Sequence, residues 1–354
     1  MANIMINKVC NLQCPYCFAN KFVNRSVCTD ENNITIENFK EALKFATYNN
    51  PNVKIGIIGG EPTLHPDLKK LVNIALENKS IRKVVLFTNG INMDKCIELV
   101  QNPKFNILLN MNSCEDIGKK SFKKMCENIN LIKNNATKYN NSDCLSLGIN
   151  FYDPNKNYDF ILDEAQKLGL HSVRLSVVVP NTSEKENQDS LEYFRKFKES
   201  LFQFFNKCDE REIIPFYDCN NFPVCLWDTE ELQWLNNYVR KYSKKYNNCS
   251  NLLSLPHCEP VIDILPSLEA VRCFGCSNLK VKIIDFKDIH DLRNFFCRQI
   301  DHVCSSVFTS PLCAACYQRH TLKCSSGCLA FKHEKTTQIR AIADFLCEKN
   351  FLKK

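Results

Sequence analysis

Three cysteines stand on one short stretch, Cys10, Cys14 and Cys17, in the order C-N-L-Q-C-P-Y-C. Thiolates this close on one loop can hold three irons of a four-iron cube and leave the fourth iron without a protein ligand. An open coordination position is what a catalytic metal site needs, whereas a structural site is closed. Downstream, Gly59-Gly60-Glu61-Pro62 places two of only nine glycines together and follows them with an acid. Glycine lets a backbone approach a ligand closely, and a carboxylate accepts from an ammonium group. A second run of thiols lies near the C-terminal end: Cys313, Cys316, Cys324 and Cys328, spaced C-x2-C-x7-C-x3-C. Cys249, Cys258 and Cys273 precede it and Cys347 follows, which makes eight thiols, enough for two cubes of four ligands each. Closed four-cysteine zinc sites are the alternative there.

These residues need a frame. Short apolar runs predict strands at 3–9, 54–58, 83–87, 106–111, 145–151 and 172–179. Between them, amphipathic stretches predict helices at 36–46, 67–77, 94–100, 119–133 and 158–168. Thr35 stands where a helix cap belongs. Strands that alternate with helices imply parallel β/α units. The candidate residues cluster where strands end, and α/β folds put their sites at those carboxyl ends. Two aromatic-rich helices are expected at 191–205 and 229–246. From about Cys249 the periodicity fades and cysteine rises. Such a segment needs metal or disulfide staples.

The chain has 354 residues, 44% hydrophobic and 24% charged, as a globular protein does. No apolar run reaches the roughly 18 residues of a membrane-spanning helix, and Met1 to Val9 lacks the parts of a signal peptide. A cytoplasmic location without membrane attachment is therefore expected. Fourteen of the 22 cysteines lie from Cys208 onward. Reduced thiols at this density point to metal or redox chemistry rather than a disulfide scaffold. Lys and Arg exceed Asp and Glu by 46 to 39, but the excess is spread out. Nucleic-acid binding needs a clustered basic face, so no nucleic-acid partner is expected.

The cysteine loop and the Gly-Gly-Glu-Pro segment together resemble the radical S-adenosylmethionine (SAM) superfamily, over Asn3 to about Val179. The resemblance implies an α/β fold, a partial (β/α)6 TIM-type barrel over residues 1–180. It implies that Cys10, Cys14 and Cys17 hold a catalytic [4Fe–4S] cluster whose open iron binds the methionyl end of SAM. An electron then cleaves SAM into methionine and a 5′-deoxyadenosyl radical, which takes a hydrogen from substrate. Gly59, Gly60 and Glu61 are implied contacts of the SAM amino group, and Tyr16 is implied to pack by the adenine. Asn89, within Thr88-Asn89-Gly90, resembles a family sequence near SAM. Asn110 and Asn112 end the fourth strand, where polar residues meet the ribose. Arg174 on the sixth strand suits the SAM carboxylate, since a guanidinium fits a carboxylate bidentately. Turn chemistry or a satisfied barrel polar group is the plainer reading of these last four.

The C-terminal cysteines resemble the SPASM domain, which carries two auxiliary [4Fe–4S] clusters. The implied domains are the barrel, a helical bridge over 181–248 and a small cysteine-rich, cluster-stapled domain over 249–354. The implied first auxiliary ligands are Cys249, Cys258, Cys273 and Cys328; the second are Cys313, Cys316, Cys324 and Cys347. With eight ligands neither auxiliary cluster has an open iron, which favours electron transfer or structural support. Cys276 could replace Cys249 as a ligand, or simply be a free thiol. Cys297 and Cys304 read as buried thiols. Two departures concern geometry: seven residues rather than five separate Cys316 from Cys324, and Pro266-Ser267-Leu268 stands where the family has Pro-Asp-Gly. A third concerns chemistry. Phe274 follows Cys273, where the sulfatase-maturing branch commonly has an Asp that serves as base, and this argues against formylglycine formation by that mechanism.

Such enzymes modify ribosomally made peptides or proteins by crosslinking or oxidation, and this is the implied function. The cluster motif begins at Cys10, so a peptide is expected to sit in the barrel, on the 191–246 helices or on a separate leader-binding protein. A flavodoxin- or ferredoxin-type electron donor is implied as partner. A radical SAM oxidoreductase of a small molecule such as a sugar alcohol is the second reading. A non-enzymatic zinc-binding interaction module is the third.

Overall fold

A computed structural model describes residues 2–17, 19, 23, 32–179, 189–246, 250–305 and 307–332. Six strands appear in chain order as expected: β1 (Ala2–Asn7), β2 (Val53–Gly59), β3 (Ile81–Thr88), β4 (Phe105–Asn110), β5 (Leu145–Phe151) and β6 (Ser172–Val177). Each pairs in parallel with the next, and β7 (Ile214–Tyr217) extends the row beside β6. All seven carboxyl ends therefore lie along one edge of the sheet. β1 is buried along its whole length and β4 nearly so, the continuous apolar pattern of a parallel sheet covered on both faces.

Helices supply the outer cover. α1 (Ile36–Thr47) begins at Thr35, whose side chain accepts from the Asn38 N–H, and buries Phe39, Ala42, Leu43 and Ala46. α2 (Leu68–Glu77) follows β2, α3 (Cys114–Lys138) follows β4 and α4 (Asp159–Lys167) follows β5. α3 starts in a capping box made by Ser113 and Asp116, and Gly118, at φ 78°, kinks its first turn. Beyond β3 the expected helix is only a short 3₁₀ turn, Ile97–Gln101. The expected 191–205 helix is two, α5 (Ser190–Arg195) and α6 (Lys198–Glu210). α7 (Thr229–Tyr246) matches its expected range.

The chain then returns to the sheet. β8 (Asp263–Ile264) pairs in parallel with β1, and β9 (Glu269–Val271) and β10 (Val281–Lys282) continue antiparallel. The ten strands form one sheet with β10 and β7 at its ends. The cysteine-rich segment is thus hydrogen-bonded to the first strand of the barrel. Met5, Ile58 and Phe87 from β1, β2 and β3 pack against Leu265, Val271 and Phe274. Leu268, in the turn between β8 and β9, takes φ +60°. For an L-residue that conformation costs roughly 1–2 kcal/mol.

Candidate active site

The loop leaving β1 carries Cys10, Cys14 and Cys17, each partly exposed. Its geometry follows from what β2 lacks. A Cβ on Gly60 would lie 2.3 Å from the Val9 carbonyl oxygen, and one on Gly59 would lie 2.1 Å from Asn7 Oδ1. The two glycines let the start of the cysteine loop rest on the end of β2. Two backbone bonds fix it there: Gly60 N–H to Asn7 C=O at 3.0 Å, and Glu61 N–H to Val9 C=O at 2.7 Å.

The Glu61 side chain is tied up within the protein. The sequence offers its carboxylate to an ammonium ligand. In the structure the side chain is 1% exposed and turned inward. One oxygen accepts from Thr63 N–H, Thr63 Oγ1 and Thr88 Oγ1, and the other from Asn89 N–H at 2.8 Å. It ties the ends of β2 and β3 together, because a buried carboxylate must find donors. Burial pushes its carboxyl up, against those hydrogen bonds. Asn7 Oδ1, packed against Gly59, is buried and without a hydrogen-bond partner among the described residues.

The other strand-end residues form the wall beside the loop. Asn89 Nδ2 donates to Asn11 in the cysteine loop at 2.8 Å. Asn112 Oδ1 accepts from Tyr16 Oη and from Cys14 Sγ, the latter at 3.6 Å. The Tyr16 ring stacks on Tyr152, with centroids 4.9 Å apart. Tyr152 in turn donates to Asp116, which is ion-paired with Lys156 at 3.0 Å. Arg174 donates to Asn110 and Asn150 and pairs with Asp218 at 3.4 Å. The structure therefore brings together Cys10, Cys14, Cys17, Tyr16, Gly59, Gly60, Asn89, Asn110, Asn112 and Arg174 along one edge. Sequence reading missed Asn7, Asn128 and Tyr152. Asn128, on α3, donates to the Gly90 and Ile91 carbonyls at 2.8 Å and so fixes the turn after β3. An Asn inside an amphipathic helix was its only signal.

The donor set fits an iron–sulfur group. Burial, and then the neighbouring Cys10 and Cys17, push the Cys14 thiol up to about 12. Three thiolates at this spacing repel one another and need a cation among them, which such a group supplies.

The C-terminal thiols are arranged differently. Cys258 accepts from the Cys328 thiol, and Cys273 accepts from the Cys276 thiol. Those hydrogen bonds hold Cys258 down at about 5 and lower Cys273, while Cys328 and Cys276 are pushed up. Between Cys258 and Cys273 lies the fully buried Arg272. Cys219, just beyond β7, is within electrostatic reach of Cys258 and Cys273, and Cys225 within reach of Cys313, Cys316 and Cys324. Neither was singled out by spacing, since both precede the cysteine run. Cys249 and Cys347 lie outside the described residues. Cys304 is buried, as read. Cys297 is instead exposed at the start of a π-helical turn, its thiol donating to Asp301 at the end of that turn. Among the described residues no three His, Cys, Asp or Glu side chains converge on one metal ion.

The family profile of the Radical SAM superfamily matches residues 4–194. Among curated proteins, the GTP 3′,8-cyclase of Pasteurella multocida (strain Pm70) is 34% identical over 93 residues, 26% of each chain. That of Haemophilus ducreyi (strain 35000HP / ATCC 700724) is 34% identical over 99 residues, 28% of each. The chain thus spans about a quarter of the length of these relatives. Among solved structures, anSMEcpe with bound AdoMet is similar with a TM-score of 0.61 at 15% identity, covering 99% of both chains. SuiB of Streptococcus suis bound to S-adenosylmethionine gives 0.60 at 16% identity, covering 93% of this chain and 72% of that one. At such identities the likeness speaks for the fold.

Proposed function

This chain belongs to the radical SAM superfamily, and on that premise we propose that it reductively cleaves SAM to abstract hydrogen from a ribosomally made peptide or protein. The observation that carries the radical chemistry is the set of three partly exposed thiols at the strand ends. Cys10, Cys14 and Cys17 would hold a [4Fe–4S] cluster with one open iron, and that cluster, when bound, supplies the electron that cleaves SAM. The chain's own residues position it. Gly59 and Gly60 seat the loop, Asn112 grips Cys14 and Tyr16, and Asn89 holds Asn11. Gly59 and Gly60 are the proposed backbone contacts of the SAM ammonium, and Asn110 and Arg174 offer polar groups along the same edge.

We assign auxiliary clusters to the C-terminal thiols. Cys258, Cys273, Cys276 and Cys328 are in mutual contact or electrostatic reach, which favours Cys276 in the first set. Cys313, Cys316 and Cys324 form the second, with Cys225 beside them and Cys347 as the remaining candidate. The peptide reading is supported by fold likeness to SuiB, solved with its precursor peptide SuiA (TM-score 0.54 at 17% identity, 82% of this chain and 63% of that one). It is also supported by likeness to anSMEcpe, solved with AdoMet and the Kp18Cys peptide (0.60 at 16% identity, 99% of both chains). This is analogy at the level of fold. The partial identity to GTP 3′,8-cyclases keeps a small-molecule substrate as the second reading.

One experiment separates the two. The anaerobically reconstituted protein is given SAM, dithionite and either a peptide encoded beside its gene or GTP. Faster 5′-deoxyadenosine formation and a mass change on the peptide support the first reading. Turnover with GTP and none with peptide overturns it.

A further inference from the structure

Arg272 carries a positive charge in a place with no water. Its side chain is 0% exposed. A buried cation is tolerated only when anions and hydrogen bonds meet it. All five guanidinium N–H groups have acceptors. Nε and Nη2 donate to the two carboxylate oxygens of Asp301, the latter at 2.9 Å. Nη2 also donates to the Cys258 carbonyl at 2.8 Å. Nη1 reaches Cys258 Sγ at 3.4 Å and Cys273 Sγ at 4.0 Å. The guanidinium thus grips a carboxylate on one side and two thiols on the other.

Asp301 ends a π-helical turn, Cys297–Asp301. Such turns are rare and are frequent at functional sites. Cys297 Sγ also donates to Asp301 Oδ2, at 3.9 Å. If structural closure were all that mattered, an apolar side chain of similar volume would do it without the desolvation cost. What a buried cation adds is charge beside sulfur. Hydrogen bonds to the ligating sulfurs and net charge are what set an iron–sulfur potential.

We propose that Arg272, oriented by Asp301, is a positioning residue that donates to the Cys258 and Cys273 ligands and raises the reduction potential of the first auxiliary cluster. This rests on the auxiliary-cluster reading above. Reduction adds negative charge, and a cation beside the sulfurs stabilises that charge. Asp301 opposes the effect in part. The two residues therefore shift the potential in opposite directions, a pattern that a packing role does not produce.

The test is an EPR-monitored redox titration of the reconstituted holoenzyme. The catalytic signal is identified by its change on adding SAM. Wild type is compared with Arg272→Gln, Arg272→Lys and Asp301→Asn, and iron is counted in each. Arg272→Gln is expected to lower one auxiliary midpoint by a tenfold change in the reduced-to-oxidised ratio or more, about 59 mV for one electron. Arg272→Lys, with fewer donors and no fork, is expected to fall between. Asp301→Asn is expected to raise the same midpoint. Unshifted midpoints with iron retained overturn the inference and leave the cluster reading standing. A wild type holding only about four irons overturns both. If Arg272→Gln loses auxiliary iron, Asp301→Asn decides: a raised midpoint supports the proposal, and an unchanged or lowered one overturns it.

Discussion

The two thiol regions of this molecule are built on opposite plans. The loop after β1 holds three partly exposed cysteines with their backbone pressed onto glycines. Burial and the like charge of Cys10 and Cys17 push Cys14 up to about 12. In the Cys258–Cys273 region the thiols are also partly exposed, save the buried Cys276, but they are hydrogen-bonded in pairs about a guanidinium, and Cys258 is held down at about 5. The first region sets like charges side by side. The second pairs its thiols with one another and with Arg272. The difference separates thiols that an added cationic group would relieve from thiols that the chain's own residues already stabilise.

The comparison breaks first at the cysteines. Replacing Cys258 and Cys328 together by Ser should remove about four irons per chain yet leave SAM cleavage detectable, because the open loop is untouched. Iron and sulfide analysis with a 5′-deoxyadenosine assay checks this. Equal loss of cleavage in a folded variant would mean the two regions act as one site. Next comes Gly60→Ala. Its Cβ meets fixed backbone at Val9, so we expect about 1–3 kcal/mol of destabilisation, the range for an overpacked site. Slower cleavage should accompany it. Denaturant unfolding and the same assay read both.

Asp263 sharpens the junction between the regions. It accepts from Asn3 on β1 and from the Phe274 N–H beside Cys273. Burial raises its carboxyl to about 7. The folded state thus prefers the protonated form. This contribution to stability is full below the ordinary carboxyl value near 3.8 and is lost as pH rises through about 7. The unfolding free energy of wild type should fall between about pH 4 and pH 7, and Asp263→Asn should lack that component. A rise over this range in wild type, or the same slope in both proteins, would contradict the assignment. The smallest effect is expected from Tyr16→Phe. It removes one hydrogen bond to Asn112, about 1 kcal/mol, and should leave iron content unchanged.

Much of the first region was legible in the sequence. Parallel strands buried on both faces read as continuous apolar runs, so six strands lie within a few residues of their expected ranges. The cysteine spacing and the glycine pair marked the site. What spacing does not carry is direction. The role of Glu61 depends on where its side chain turns, and tertiary packing turned it toward Thr88. The return of β8 to β1 was not legible either. A two-residue strand has no period to read. Arg272 drew no notice because a lone arginine is ordinarily solvated.

The most direct measurement is iron and sulfide per chain after anaerobic reconstitution, with reductive SAM cleavage, in wild type and in a variant with Cys10, Cys14 and Cys17 all changed to Ala. The account predicts about 12 irons falling to about 8 with cleavage abolished. About 4 irons falling to none, or cleavage surviving in the variant, would contradict it.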